Sequence, residues 1–253
     1  MVLNKIKKTK KNINSIRNKN INSIVNNGEW KTIKFPKSEK SLWVPKNKNS
    51  LKSAVVKAHL KGNSWEKRIA LLLDKYAIKN KNAVDIGAFI GTHTYTLSDA
   101  VNNGTVYTFE PQPWAYQCIK KTLAKNKIKN VKVFNNGVSD KKGTIEFCSD
   151  YTGGSSMCKE RKKSYDWKSR YNIQIINLDS LNLKNISIMK IDVEGHENEV
   201  LHGAKKTILK NRPVIIIEIW KSKTKLNQFH EIMKEYNYKI EPITKTDYLC
   251  IPN

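Results

Sequence analysis

The stretch AVDIGAFIGTH, residues 83–93, decides the fold class of this chain. A short apolar strand carries Asp85 and leads into a turn with Gly87 and Gly91, four positions apart. A strand that runs into a glycine turn and then a helix is typical of α/β proteins that bind nucleotide-containing ligands. Phe89 occupies the place of the middle glycine that a dinucleotide pyrophosphate requires, so the turn disfavours NAD and FAD.

Outward from this turn, apolar strands alternate with amphipathic helices. We predict strands at 83–87, 105–110, 131–136, 144–148, 173–178, 186–192, 213–220, 238–243 and 248–252, and helices at 64–76 (with Ser64 as N-cap), 92–101, 113–126, 196–210 and 222–236. This alternation predicts an α/β fold with a doubly wound, mainly parallel seven-stranded sheet. The last two strands are close together in sequence and predict an antiparallel hairpin at one edge.

The composition leaves the partner class open. The chain has 253 residues, which suits one α/β domain, and a net charge of +25 from 47 basic and 22 acidic residues. Such a surface could bind nucleic acid or another polyanion. Only five of the basic residues are Arg, however, and Lys, Asn and Ile share A/T-rich codons, so genome bias also explains the charge.

Residues 1–50 form a Lys/Asn-rich basic N-terminal segment, and we place the folded domain at 51–253. The pentapeptide NINSI occurs at 12–16 and again at 20–24. Low-complexity polar sequence buries little surface, so we expect mobility at least to about residue 28. The segment is either an electrostatic tether to a polyanion or membrane, or a compositional tail.

The four cysteines, Cys118, Cys148, Cys158 and Cys250, show no metal-ligand or C-x-x-C spacing. We therefore predict free thiols in a reducing compartment. No apolar run approaches the roughly 18 residues that span a bilayer, and the N-terminus lacks the apolar region of a secretory signal. The expected location is cytoplasmic.

Acidic residues end several predicted strands, where doubly wound sheets bind ligands. Glu110 follows Gly91 by 19 residues, and an acid there can accept hydrogen bonds from both hydroxyls of a ribose. Asp192 and Glu218 end the strands on the other side. A ligand with a ribose and no phosphate, such as S-adenosylmethionine, suits both the acids and Phe89.

Six segments resemble the FkbM family of methyltransferases over about residues 64–220. They are VDIGAFIG (84–91), FEPQP (109–113), NNGVSDKKG (135–143), LDSL (178–181), MKIDVEGHENEVLHGA (189–204) and RPVIIIEIW (212–220). The family consists of S-adenosylmethionine-dependent enzymes with the Rossmann-like class I methyltransferase fold, and most members methylate hydroxyl oxygens of glycan sugars or secondary metabolites. The chain departs from the family at Phe89, where Asn is frequent, and at His196, where a small residue is common.

The resemblance implies a set of cofactor-binding residues. The methionine portion of S-adenosylmethionine would be lined by Asp85, Gly87, Ala88 and Gly91, the ribose by Glu110, and the adenine by Val138 and Ser139.

Methyl transfer to oxygen is an in-line displacement that mainly requires alignment of the reactants. A carboxylate that takes the hydroxyl proton adds on the order of 10²–10⁴ in rate. Asp192 is the first choice for this base, and Glu194 and Glu218 could pair with it or join it in binding a divalent cation. His196 and His93 follow predicted strands and are alternative bases.

Aromatic and basic residues indicate an acceptor surface. Trp65, Trp114, Trp167 and Trp220 could stack on a sugar ring. Trp220 is favoured because it lies beside Glu218, whereas core packing is favoured for Trp65 and Trp114. The segment 149–172 contains Lys159, Arg161, Lys162, Lys163, Lys168 and Arg170, and is either a substrate-binding lid or a solvated loop.

Three functions remain open from the sequence. The leading prediction is an O-methyltransferase that acts on a small-molecule or glycan hydroxyl. The second is an RNA 2′-O-methyltransferase; of the Lys-Asp-Lys-Glu set that such enzymes use, only Lys190 and Lys221 are lysine candidates, by proximity. The third is a non-catalytic module that binds S-adenosylmethionine.

Overall fold

The structure is a computed structural model that describes residues 29–35, 40–46, 50–149, 155–158, 169–219 and 222–253. Several predictions fall outside these described residues: those for residues 1–28, for the basic residues Lys159, Arg161, Lys162, Lys163 and Lys168, and for Trp167, Trp220 and Lys221.

Strands and helices alternate over residues 82–134 and again over residues 186–242. The strands are β1 Trp30–Lys34, β2 Ser41–Pro45, β3 Asn82–Ile86, β4 Val106–Phe109, β5 Val131–Phe134, β6 Gly137–Val138, β7 Gly143–Ser149, β8 Ser156–Met157, β9 Ser169–Ile176, β10 Ile186–Ile191, β11 Val214–Glu218, β12 Tyr238–Pro242 and β13 Asp247–Pro252. The helices are α1 Ala54–Leu60, α2 Lys67–Tyr76, α3 Thr92–Val101, α4 Pro113–Lys125, α5 Glu197–Gly203, α6 Lys205–Asn211 and α7 Lys223–Glu235, with short 3₁₀ turns at Ser50–Lys52 and Leu178–Leu181.

Seven strands form the central sheet in the order β12-β13-β11-β10-β3-β4-β5. The pairs from β11 to β5 are parallel, whereas β13 is antiparallel to both β11 and β12. The prediction of a mainly parallel seven-stranded sheet with an antiparallel edge hairpin is therefore confirmed. The chain moves outward from β3 to β5 and later returns to β10 on the other side of β3, which creates the crevice where such sheets bind ligands.

Alternate side chains of the strands fill two cores, because successive residues of a strand point to opposite faces. On one face, Ile69 and Leu73 of α2 pack with Ile188 and Ile216 of the sheet. On the other face, residues of α5–α7 such as Phe229 pack with neighbouring strand residues. Strand β10 is buried along its whole length, as a central strand covered on both faces should be.

Strands β6, β9, β7 and β8 form a second sheet in that order. The strands predicted at 144–148 and 173–178 belong to this sheet and not to the central one. Strand β9 alternates buried and exposed residues, and Tyr171, Ile173 and Ile175 pack with Phe147 on the buried face. Strand β9 is antiparallel to β7 and parallel to β6, and its alternation is typical of a sheet with one solvated face.

Cys148 and Cys158 form a disulfide, so the prediction of free thiols is wrong for this pair. Antiparallel pairing of β7 with β8 places Cys148 opposite Ser156 and brings the two cysteine Cα atoms to 4.9 Å. A spacing of ten residues gave no sequence signal for this pairing. Cys118 and Cys250 are free and buried.

The hairpin of β1 and β2 packs against α4. Trp43 N donates to Thr122 Oγ1 at 2.9 Å, and the Asn126 amide bonds both backbone groups of Ser41 at 2.8 and 3.0 Å. Leu42 and Val44 belong to the same apolar cluster as residues of α4. Strands β1 and β2, which lie within the predicted N-terminal segment 1–50, therefore pack as part of the domain core.

Two helix predictions need correction. The helix predicted at 64–76 begins at Lys67, and Ser64 does not cap it, because Glu66 takes a left-handed conformation (φ 44°, ψ 54°) directly before the helix. The helix predicted at 196–210 divides into α5 and α6 at Ala204, whose φ of −111° is not helical. Within the described ranges, no helix combines the length and apolar character needed to cross a membrane.

Candidate active site

A cavity of about 290 Å³ opens at the carboxyl ends of β3, β4, β10 and β11. Its volume lies near the lower end of the roughly 300–1,000 Å³ of ligand pockets. The wall combines three strand-end segments, at 86–89, 109–112 and 192–194, with Glu218. Trp65 and Glu66, which precede α2, complete one side.

The glycine turn brings β3 against the end of β10. Gly87 has φ 84°, and a Cβ there would lie 1.7 Å from the backbone oxygen of Asp192. Only glycine combines this conformation with this approach. Phe89 also has a positive φ, of 51°, which is uncommon for a bulky residue. Its N–H donates to Glu110, and its ring packs edge-on against the ring of Trp114, with 5.3 Å between the two ring centroids.

Glu110 is fixed by backbone donors. Its Oε2 accepts from Phe89 N at 2.6 Å and its Oε1 from Gln112 N at 2.7 Å. Burial raises the pKa of Glu110 to about 8, although the two N–H donors favour the ionised form. Each carboxylate oxygen retains acceptor capacity for a ligand hydroxyl, and the side chain faces the cavity.

Four of the seven residues that the sequence predicts for the cofactor line the cavity: Gly87, Ala88, Glu110 and Val138. The structure places the other three, Asp85, Gly91 and Ser139, outside the wall. Asp85 is fully buried in β3, where its Oδ2 accepts from Thr94 Oγ1 at 2.5 Å. This hydrogen bond links β3 to α3 across the glycine turn. Burial raises the pKa of Asp85, although Lys190 opposes that effect.

Gly91 and Ser139 face protein instead of the cavity. A Cβ at Gly91 would lie 2.8 Å from the hydroxyl of Tyr95, so this glycine makes room for a side chain of its own helix. Ser139 is buried, and its Oγ bonds His196 Nε2 at 2.9 Å. All three residues lie outside the cavity wall and contact other parts of the protein, so their role in binding the cofactor stays a prediction.

Three carboxylates gather on the β10–β11 side. Oxygen atoms of Asp192, Glu194 and Glu218 lie within 4.8 Å of one another. Burial and the adjacent Asp192 charge raise the pKa of Glu218 to about 9. Burial also opposes ionisation of Asp192, but Lys190 and a hydrogen bond with Glu218 outweigh it and hold the pKa of Asp192 below its ordinary value. At neutral pH, Asp192 is ionised and Glu218 carries the proton.

Lys190 anchors this group from within the sheet. It is 5% exposed, and its Nζ lies 2.8 Å from Asp192 Oδ2. Burial would favour the neutral amine, but the carboxylates of Asp192, Asp85 and Glu66 raise the pKa of Lys190 above its ordinary value. Lys190 therefore stays charged and orients Asp192.

The same three carboxylates could hold a divalent cation, since Mg²⁺ and Ca²⁺ prefer oxygen ligands. A cation there would be bound by Asp192, Glu194 and Glu218, as the sequence predicts. The ammonium of Lys190 already neutralises the charge of Asp192, with 2.8 Å between Nζ and Oδ2. This ion pair weakens the attraction of the site for a cation.

His196 does not reach the cavity, so its predicted role as a base is not supported by the geometry. It is 1% exposed; Nε2 bonds Ser139, and Nδ1 lies 3.4 Å from Glu199 Oε2. It joins β6 to the start of α5. Glu197 is also buried, and its Oε1 accepts from Gly195 N at 2.6 Å, so it closes the turn before α5.

Glu66 and His93 form a hydrogen-bonded pair that was not predicted from the sequence. His93 Nε2 lies 2.8 Å from Glu66 Oε2, and both residues line the cavity. They are 27 positions apart in sequence. The position of His93 after the glycine turn was the one available signal, and nothing in the sequence marked Glu66 as its partner.

Comparison with known proteins agrees with this geometry. The family model of the methyltransferase FkbM domain matches residues 85–240. Methyltransferase sdnD of Sordaria araneosa is 23% identical over 193 residues, which are 64% of this chain and 74% of that protein. The 2-O-methyltransferase NoeI of Sinorhizobium fredii is 23% identical over 146 residues, which are 51% of this chain and 59% of that protein.

Among solved structures, methyltransferase FkbM from Methylobacillus flagellatus superimposes with a TM-score of 0.51 at 17% identity. The match covers 81% of this chain and 55% of that one, so this chain spans little more than half of its length. The likeness shows the Rossmann-like class I methyltransferase fold. The family match covers more than half of the chain and includes the glycine turn, Glu110, Asp192 and Glu218: the chain belongs to the FkbM family of methyltransferases.

Proposed function

We propose that the chain transfers a methyl group from S-adenosylmethionine to a hydroxyl oxygen of a sugar. The observation that carries this proposal is the placement of two kinds of carboxylate around one glycine turn. Glu110, held by backbone N–H groups, lies on the β4 side, and the ionised Asp192 lies on the β10 side. The first suits a ribose, and the second suits a hydroxyl that must lose a proton.

The wall fits a cationic donor that has no phosphate. It contains the carboxyl groups of Glu66, Glu110, Asp192, Glu194 and Glu218, against one buried lysine and one histidine. The ionised carboxylates among these groups attract a sulfonium and repel a pyrophosphate, whereas the protonated Glu110 and Glu218 contribute no charge. Gly87 and Ala88 would contact the methionine portion, Glu110 the ribose and Val138 the adenine. The bound donor supplies a methyl carbon that is activated by its sulfonium.

Asp192 is the base in this proposal. Because Lys190 keeps Asp192 ionised and oriented, its carboxylate can accept the proton of an acceptor hydroxyl. The carbon–sulfur bond breaks as the oxygen–carbon bond forms, and the hydroxyl proton passes to Asp192. Protonated Glu218 hydrogen-bonds Asp192 and positions it. Alignment of the hydroxyl with the methyl carbon contributes most of the remaining rate.

A sugar is the favoured acceptor class. NoeI is a 2-O-methyltransferase by name, which agrees with transfer to oxygen. The carboxylates on the β10–β11 side are hydrogen-bond acceptors for neutral hydroxyls, and they repel an anionic acceptor at the reacting position. A divalent cation on Asp192, Glu194 and Glu218 would add a Lewis acid for the same hydroxyl.

RNA is a second candidate acceptor. Lys190, Asp192 and Glu218 lie together, and the net charge of +25 suits a polyanion. Binding to RNA would weaken steeply with salt because counterions are released. The carboxylate-rich wall disfavours this candidate.

The test combines donor binding with transfer. Calorimetry with S-adenosylhomocysteine should show binding, and labelled S-adenosylmethionine should transfer its methyl group to members of a panel of neutral methyl glycosides. A parallel reaction with mixed-sequence RNA separates the two acceptor classes, and a reaction with EDTA tests the cation. Donor binding without transfer to either acceptor class would instead support a non-catalytic module, and absence of donor binding would refute the proposal.

A further inference from the structure

One part of the cavity wall lies outside the family-matched residues 85–240. Trp65 and Glu66 come from the segment before α2. Helix α2 packs through Ile69 and Leu73 on Ile188 of β10 and Ile216 of β11. Its N-terminal end therefore reaches the β10–β11 side of the cavity, where the acceptor enters in the proposed function.

Glu66 is held in an unusual conformation at this position. Its φ of 44° is left-handed, its side chain makes no cap for α2, and its carboxylate turns to His93. A non-glycine residue in this region is strained and persists only where its surroundings hold it, which happens frequently at ligand sites. The side chain of Glu66 is 32% exposed and lines the cavity.

His93 fixes one oxygen of this carboxylate. The imidazole side chain is 7% exposed, and its Nε2 contacts Glu66 Oε2. Its Nδ1 is buried and has no hydrogen-bond partner in the part of the chain that the structure describes. With Oε2 engaged, the remaining acceptor capacity of Glu66 is available to a ligand. The Glu66 carboxylate acts electrostatically on Lys190, so this pair belongs to the Asp192 side.

Trp65 adds an apolar surface beside the carboxylate. It is half-buried and lines the cavity next to Glu66. An aromatic face beside a hydrogen-bond acceptor is suited to a sugar, whose ring offers C–H bonds on its face and hydroxyls at its edge.

We propose that Trp65 and Glu66 bind the acceptor sugar, with the ring of Trp65 against the sugar face and the Glu66 carboxylate accepting from its hydroxyls. His93 is the positioning residue that orients Glu66. This inference rests on the proposed function and specifies its acceptor class as a neutral sugar. It also assigns acceptor choice to a segment that the family match does not include.

The experiment measures methyl transfer to the methyl glycoside that wild-type protein uses best, with S-adenosylhomocysteine affinity measured in parallel. We expect E66Q and W65A to raise the acceptor KM about tenfold or more, as loss of a charge-assisted hydrogen bond or of a stacking face does. Donor affinity should stay unchanged. H93N should raise the same KM, and H93Q, whose amide nitrogen can take the position of Nε2, should recover part of it.

The left-handed backbone of Glu66 supplies a second variant that separates binding from folding. E66G removes the side chain and relieves the conformation, so its thermal midpoint should equal or exceed that of the wild type while the acceptor KM rises. D74N is the matched control, because Asp74 is an exposed carboxylate of α2, the helix that follows Glu66; the acceptor KM of D74N should not change.

The outcomes distinguish the inference from the proposed function. If wild-type protein methylates none of the glycosides, the proposed function fails and this inference fails with it. If the wild type methylates a glycoside and E66Q and E66G keep its KM, the inference alone is overturned. A parallel loss of donor affinity in E66G would also overturn it, because Glu66 would then act on the donor.

Discussion

The two sides of the glycine turn hold their carboxylates by different means. On the β4 side, both oxygens of Glu110 accept from backbone N–H groups, whose positions are fixed by the fold. On the β10–β11 side, Asp192 is held by the side chains of Lys190 and Glu218. An acid that is held by backbone groups is suited to bind a reactant that is the same in every turnover. An acid that is held by side chains can exchange a proton when a second reactant binds.

The difference extends to the protonation states. Glu110 and Glu218 both have a raised pKa, with burial as the largest cause. Asp192 differs from both because a buried ammonium lies 2.8 Å away. Of these three acids, Asp192 alone is ionised at neutral pH, and its location identifies the half of the cavity in which a proton can be accepted.

The largest effect is expected for D192N, which replaces the ionised Asp192 carboxylate by a neutral amide of the same size. We expect turnover to fall on the order of 10²–10⁴-fold because the base is lost. Affinity for S-adenosylhomocysteine, measured by calorimetry, should remain within a few-fold. Turnover close to that of wild type would show that the proton goes elsewhere and would end the contrast between the two sides.

Gly87 joins the two sides, and G87A tests how closely they must approach. The added Cβ would meet the backbone oxygen of Asp192 at 1.7 Å, so we expect a loss of about 3–5 kcal/mol in the free energy of unfolding. Gly62 is the matched control: it has φ 74° but nothing within 4 Å. G62A should lose only about 1–2 kcal/mol, the cost of the left-handed conformation. Equal losses in urea titrations would contradict the close approach.

E110Q tests the backbone-held side. One of the two N–H donors loses its acceptor, which costs about 1–3 kcal/mol. The pKa of Glu110 is about 8 when folded against an ordinary 4.5, so the folded state binds the proton more tightly. The stability from this proton is present below about 4.5 and lost as pH rises through about 8. The cost of E110Q should therefore shrink over that window; a constant difference would contradict the raised pKa.

The smallest effect is expected for E218Q. With a pKa of about 9, Glu218 is protonated at neutral pH, and Gln still donates to Asp192. Turnover at neutral pH should change by less than about threefold, which is under 1 kcal/mol. Above about pH 9, wild type should lose activity as Glu218 ionises beside Asp192, and E218Q should not. A large neutral-pH loss that EDTA reproduces in the wild type would instead identify Glu218 as a cation ligand.

Much of the fold could be predicted because its signals are local. The glycine turn, the apolar strand of β10 and the helix that follows Gly91 each depend on a few consecutive residues, and α3 has the bounds that the sequence predicts. Glu110, Asp192 and Glu218 follow from the rule that ligands bind at the carboxyl ends of strands.

The remaining features depend on contacts between distant residues. Glu66 and His93 meet because α2 packs beside α3, and Cys148 and Cys158 meet because β7 and β8 pair. His196 follows a strand as Asp192 does, yet it turns into the protein towards Ser139. The direction of a side chain after a strand end depends on backbone conformation, which the residue type alone does not specify.

The hairpin of β1 and β2 has a practical consequence for cutting the chain into smaller pieces. Leu42 and Val44 share a core with Ala88 and Ile90 of the glycine turn, and Lys121 of α4 lies 4.5 Å from the ring centre of Trp30. A fragment trimmed to the family-matched region would leave that core open to water beside the glycine turn. Recombinant fragments intended to keep activity should therefore start upstream of Trp30.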